Sequence, residues 1–457
     1  MRTKTWIALV VCALALPLAF GCDDGDDPID SGMAEDTGTG GDDGGTMGNT
    51  IADIATSDEN FSMLVAAADQ AGLVAVLEAP GPYTVFAPTN AAFEASGITM
   101  AMIEGMSNEQ LTAILTYHVI SGAAVDSSSI TAGPAASAAG GVSLILGTEG
   151  GVTINGGNAV TGGANVVTAD IEASNGIIHV IDRVLLPPDI PMLATYAGLT
   201  TLVSAVADAD LVETLQGEGP FTVFAPTNEA FEALSEVPTG DALAQVLLYH
   251  VISGAAVPSG EVPDFANSAA TNAYGNGLTL IFDTSDGVTI NGFVNVSVAN
   301  VVATNGIVHV VDAVLIPLNV PDAAGAAGLS ELVTAVGAAA PLSDGTTVAE
   351  ALSANEPYTV FAPTNEAFGR APGDLSADAL RDVLLTHVVN AGAPVLSDGI
   401  PPTADSLNGT LTFDTAATPP TVSGPSGATG AGAADILITD INVTNGVVHV
   451  ISEVLLP

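Results

Sequence analysis

Tyr83-Thr-Val-Phe-Ala-Pro-Thr-Asn-Ala-Ala-Phe93 occurs three times, returning as Phe221-Thr-Val-Phe-Ala-Pro-Thr-Asn-Glu-Ala-Phe231 and Tyr358-Thr-Val-Phe-Ala-Pro-Thr-Asn-Glu-Ala-Phe368. The interval between copies is the size of a whole domain, far above the 20–50 residues of solenoid or propeller repeats. Three tandem copies of one domain is the first conclusion. Within the motif, Tyr-Thr-Val-Phe is strand-like. Pro88 cannot donate to a sheet ladder and keeps Ala87 extended, so the strand ends there. Thr89 and Asn90 are positioned to cap a helix that opens at Ala91, Ala92 and Phe93.

Upstream of each motif the apolar spacing i, i+3, i+4, i+7 predicts a helix: Phe61, Leu64, Val65, Ala68; Leu199, Leu202, Val203, Val206; Leu329, Leu332, Val333, Val336. A second short helix follows at Leu73, Val74 and Leu77. The third copy carries extra residues around Pro341-Leu-Ser-Asp-Gly345, which read as a loop insertion. Downstream, Leu111, Ile114, Leu115 and His118 form the stripe of an amphipathic helix, matched by Leu243, Val246, Leu247, His250 and by Leu380, Val383, Leu384, His387. A histidine on such a stripe is expected to be buried and hydrogen-bonded.

Gly151-Val-Thr-Ile-Asn-Gly156 and Gly287-Val-Thr-Ile-Asn-Gly292 read as strands entering Asn-Gly hairpin turns. Each copy closes on Asn175-Gly-Ile-Ile-His-Val-Ile, Asn305-Gly-Ile-Val-His-Val-Val or Asn445-Gly-Val-Val-His-Val-Ile, with a proline at 187, 317 or 457. The β-branched run predicts a central strand apolar on both faces, entered through an Asn-Gly at positive φ.

Composition narrows the function. Fifty-one acids oppose five Lys and Arg, giving a formal net charge of -46. Such a surface repels nucleic acid and anionic lipid, and suits a protein kept soluble in a saline or exposed environment. The two cysteines, Cys12 and Cys22, leave everything after residue 22 without a thiol for a disulfide, a zinc-thiolate site or a nucleophile. Two histidines per repeat fall short of the three or four protein ligands zinc usually takes. Asp283-Thr-Ser-Asp-Gly287 reads as a hairpin turn rather than a calcium loop. A pairing of Thr89 with His118 lacks a recurring third member to orient the base. We therefore expect no enzyme, no metal centre and no cofactor.

The N-terminus reads as an address. Residues 1–21 have the basic start and the short apolar run of a signal peptide, too short for a comfortable span. Leu18-Ala19-Phe20-Gly21-Cys22 resembles the lipobox of a bacterial lipoprotein, which implies lipidation at Cys22 and anchoring without a spanning helix. Residues 22–49 then form an acidic, Gly- and Thr-rich tether. Domains are expected at 50–187, 188–317 and 318–457.

Taken together, Thr-Val-Phe-Ala-Pro-Thr-Asn-x-Ala-Phe, the helix ending in Tyr-His, and the closing Asn-Gly-hydrophobic-hydrophobic-His-Val resemble the fasciclin domain. The resemblance implies an α+β fold, a wedge-like β-structure with packed helices. It also implies a secreted or surface-anchored adhesion module meeting extracellular proteins, polysaccharides or other cells. In animal members the Tyr-His region and an Asp-Ile pair are implicated in receptor binding. Carried over, these are Tyr117-His118, Tyr249-His250, Asp170-Ile171 and Asp440-Ile441. The third repeat departs with Thr386-His387 and the second with Asn300-Val301. No Arg-Gly-Asp is present. An alternative is an envelope protein binding a polysaccharide or small molecule in a pocket beside the His-bearing helix.

Overall fold

The computed structural model describes residues 49–158, 162–371, 373, 375–425 and 433–457. The expected signal segment, Cys22 and all but the last residue of the acidic linker lie outside them.

Each repeat is built in the same order. A short helix (Ile51–Ser57, Ile190–Tyr196 or Val320–Ala326) precedes the amphipathic one (Ser62–Gln70, Thr200–Asp208 or Ser330–Ala338) and a further short turn of helix. The motif strand follows (Tyr83–Pro88, Phe221–Pro226 or Tyr358–Pro363). It runs directly into a helix whose N-cap is the motif threonine: Thr89, Thr227 and Thr364 Oγ1 accept from Ala92, Ala230 and Ala367 N–H at 3.2 Å. The cap is as the motif predicted, but helix begins at Asn90, a residue earlier than expected. The Asn90 side chain instead reaches back to the amphipathic helix, accepting from Met63 N–H at 2.9 Å and donating to Ser62 Oγ. In the third repeat the extra residues form the turn in which Gly345 N–H meets Leu342 C=O, between two helices.

The His-bearing helix (Asn108–Tyr117, Asp241–Tyr249 or Ala377–Thr386) ends at its histidine, which is the C-cap. A sheet of seven strands then forms. Its centre is the closing strand (Gly176–Ile181, Gly306–Val311 or Gly446–Ile451), parallel to the motif strand on one side and antiparallel to a ten-residue strand on the other. All six residues Gly176–Ile181 are buried, as an apolar run on both faces requires. In the third repeat the edges also pair, Val389 with Ser406, closing a barrel.

The closing Asn-Gly differs from expectation. Neither Asn175, Asn305 nor Asn445 has positive φ. The glycine serves close approach: a Cβ at Gly176, Gly306 or Gly446 would lie 2.2, 2.2 or 2.1 Å from the carbonyl oxygen of Tyr83, Phe221 or Tyr358. The asparagine is a staple. Asn175 Oδ1 accepts from Ile51 N–H, and its Nδ2 donates to Leu77 and Ala79 C=O, tying the first and third helices to the sheet. Asn305 and Asn445 repeat this.

Consecutive repeats dock through the same seam. Ser143 Oγ of the first accepts from Val302 N–H of the second at 2.9 Å, and Thr279 Oγ1 of the second accepts from Asn442 N–H of the third at 2.9 Å. Ile145 and Ile281, two residues further along, pack into the core of the next repeat. At the matching place in the third repeat stand Thr410 and Thr412, both exposed. Replacing Ile281 by Thr, the third repeat's residue, removes buried apolar surface from the second seam and is expected to cost about 1–2 kcal/mol there. Calorimetry should show the shared unfolding transition split; an unchanged single transition would refute the coupling.

Candidate functional site

The helix histidines are buried, with 2% exposure each. His118 donates from Nδ1 to Ile114 C=O at 2.8 Å, and its Nε2 accepts from Leu185 N–H at 2.9 Å. His250 bridges Val246 and Leu315 in the same way, and His387 bridges Val383 and Leu455. One nitrogen must donate and the other accept, so the ring is neutral and its tautomer fixed. Burial lowers the pKa of all three to about 4, against the smaller opposing effect of the carbonyl bond.

The closing-strand histidines adopt the opposite tautomer. His179 donates from Nε2 to Val125 C=O at 2.9 Å, and its Nδ1 accepts from Asp170 N–H at 3.3 Å. His309 and His449 make the same pair of bonds to Val257 and Asn300, and to Val395 and Asp440. Each ring lies 5.3–5.6 Å from the motif phenylalanine, Phe86, Phe224 or Phe361. Burial lowers the His309 and His449 pKa values.

Val125 belongs to a loop gripped from three directions. The buried Thr84 hydroxyl accepts from Val125 N–H and donates to Ala123 C=O. Asp170, held at φ 61° where the long strand shifts register, accepts from Ser127 N–H at 2.7 Å and Ser127 Oγ–H at 2.6 Å. These bonds hold the Asp170 carboxyl below its usual range. Asp440 grips Ser397 likewise, and Asn300 grips Ser259. The candidate Asp-Ile pairs are therefore bulge residues that clamp this loop. The Asp170 and Asp440 side chains keep 41% and 31% exposure, whereas Ile441 is buried and Ile171 half-buried against the core. The serine was not singled out in the sequence, although one follows each helix histidine at nearly constant distance.

Tyr117 and Tyr249 are fully buried. Each hydroxyl donates to a strand carbonyl, Ser143 or Thr279, and accepts from Asn155 or Asn291 Nδ2 at 3.0 Å. Burial pushes both phenols up. The two asparagines do stand at positive φ, 55° and 53°, as the hairpin reading expected. Their side chains turn inward and knit the turn to the tyrosine. The signal for this partnership was present: tyrosine and asparagine occur together in repeats one and two. The third repeat lacks both, and Asn408 bonds to buried Thr386 instead. Asp283 accepts from Ser285 N–H in an exposed turn. Among the described residues no group of three or more His, Cys, Asp or Glu is arranged to hold a metal ion.

The helix histidine also contributes to the wall of a cavity. In the second repeat about 340 Å³ lies between the helices and the motif strand, bounded by Leu202, Val206, Leu215, Val223 and His250. In the third, about 280 Å³ lies behind the matching Leu332, Val336, Leu352, Val360 and His387. Neither wall contains a charged side chain.

Two measurements test the histidine geometry. His250→Ala orphans Leu315 N–H and Val246 C=O, and should lower stability by about 1–3 kcal/mol in denaturant melts; an unchanged midpoint would refute the bridging role. The folded protein keeps these rings neutral while the unfolded chain protonates below a pKa of about 6.5. Their stabilising contribution is thus complete above pH ~6.5 and lost as pH falls towards 4, by roughly 3 kcal/mol per domain. Imidazole resonances that titrate near pH 6.5 in the folded chain would contradict this.

The Fasciclin domain family model matches residues 59–187, 197–317 and 329–457. Protein sll1483 of Synechocystis is 43% identical over 141 residues, covering 30% of this chain and 74% of that protein. Rabbit transforming growth factor-beta-induced protein ig-h3 is 31% identical over 437 residues, covering 90% of this chain and 58% of that protein. Human periostin is 30% identical over 240 residues, half of this chain and 27% of periostin. The chain thus spans less than two thirds of the length of either animal relative. Three matched segments, each with the same strand order, cap and pair of buried histidines, place the chain in the fasciclin domain family, of which it carries three tandem copies.

Proposed function

We propose that this is an adhesion protein of the bacterial cell surface, held by a lipid at Cys22 and meeting extracellular proteins, polysaccharides or other cells through its three domains. Family membership supports the general adhesive role. The observation that carries the rest is the shared seam: domains docked through Ser143 and Thr279 present several copies of one module in a fixed series, and weak sites so linked bind by avidity. Among the candidate contact positions, Asp170 and Asp440 have exposed carboxyl surface for a ligand. Tyr117, His118, Tyr249, His250 and Ile441 are buried and Ile171 is half-buried, so they support the fold of their own repeats rather than offering surface to a ligand. No helix among the described residues is long and apolar enough to cross a membrane.

A second reading, a small-molecule or polysaccharide pocket, is favoured by the recurrence of the cavity beside His250 and His387 with like residues at matching positions.

Removing one or two repeats should reduce cell attachment more than in proportion to the number lost; attachment indifferent to the deletions would overturn the adhesive reading. Cys22→Ser should move the chain from the membrane fraction to the soluble fraction of cells. Retention of the variant in the membrane fraction would overturn lipid anchoring.

A further inference from the structure

We propose that the cavities of the second and third repeats each take one uncharged, apolar small molecule, an inference that rests on the pocket reading above and not on the adhesive one. Protein interiors leave few voids larger than a water molecule. Each of these spaces, about 340 and 280 Å³, is many times the ~30 Å³ a water occupies in the liquid. Water gains little there, because the walls are apolar apart from the helix histidine and, in the second repeat, Thr195, whose hydroxyl donates to Pro191 C=O, and the exposed Thr214 and Gln216. In the third repeat the only polar side chain lining the space, among the described residues, is His387. Both nitrogens of that ring are already engaged, by Val383 C=O and Leu455 N–H, and His250 is spent in the same way on Val246 and Leu315.

These walls select by exclusion. A sugar would leave most of its hydroxyls unpaired, at a cost that apolar contact does not offset. A charged molecule would find no counter-ion, and an anion would in addition meet a chain of net charge -46. What remains is a hydrocarbon-like or aromatic molecule. At interior packing density the space suits roughly ten to twenty non-hydrogen atoms. Burying its surface against leucine and valine side chains is the driving force.

The mouth offers a clean test. Ala207 and Gly337 occupy matching helix positions, line the two cavities and are exposed. A Cβ at Gly337 meets nothing within 4 Å, so a large side chain there plugs the opening without disturbing the core. The full chain is titrated with N-phenyl-1-naphthylamine, a neutral fluorophore, and in parallel with an anionic sulfonated anilinonaphthalene. Saturable binding of the neutral probe at two sites per chain is expected, at least tenfold tighter than its anionic counterpart. Ala207→Phe and Gly337→Phe should each remove one site and together remove both. Thermal melts verify folding, and leucine at either position replaces a phenylalanine that lowers the midpoint.

Absence of saturable binding, or a stoichiometry untouched by the plugs, overturns the proposal. Oligosaccharides that raise the melting temperature only while the mouths are open, with the neutral probe unbound, would uphold the pocket and overturn the apolar ligand. Cell attachment is independent of every one of these outcomes.

Discussion

A parallel pairing of two strands, distant in sequence, sets the rest of each domain. Tyr83–Pro88 lies residue for residue against Gly176–Ile181, and the equivalent pairs recur in both other repeats. Parallel neighbours cannot be joined by a tight turn, so everything between them must leave the sheet centre and return. The intervening chain supplies the His-bearing helix, the clamped loop and the outer strands. Both faces of the pair are covered, and its buried positions therefore either are apolar or have their polar atoms satisfied locally.

That requirement explains the two histidines. One bridges a helix end to the segment after the closing strand. The other reaches from the closing strand into the loop held by Thr84 and Asp170. They use opposite tautomers because the first donates through Nδ1 and the second through Nε2. With both ring nitrogens engaged, neither histidine offers a lone pair to a metal or a base to a nucleophile without breaking a buried bond. The residues that most resemble catalytic ones are here occupied in holding the core.

The surface tells a complementary story. Two seams use the same hydroxyl, accepting from a backbone amide, and the same isoleucine, while the third repeat carries the exposed Thr410 and Thr412 at the matching positions. The fixed series leaves carboxyl-bearing bulges exposed, while apolar cavities open between the helices and the sheet. The exposed carboxylates and the apolar cavities thus occupy separate parts of one scaffold.

The motif cap, the central closing strand and the buried helix histidines were legible in the sequence, because each follows from local chemistry: a proline that cannot pair, a threonine that caps, an apolar period. The sequence by itself determined three α+β domains of one family. Tertiary structure alone decided what Asn175, Asn155 and Asp170 do. Each resembles a turn residue, yet the first staples helices to the sheet, the second meets Tyr117 and the third clamps Ser127. Their partners lie far along the chain, and side-chain amides and carboxylates bond in three dimensions. Gly176 belongs with them, since the carbonyl that forbids a Cβ there comes from Tyr83. A pocket beside the His-bearing helix was among the readings of the sequence, but its size and apolar lining were not legible there, because empty space is a property of how helices meet a sheet and not of any one segment.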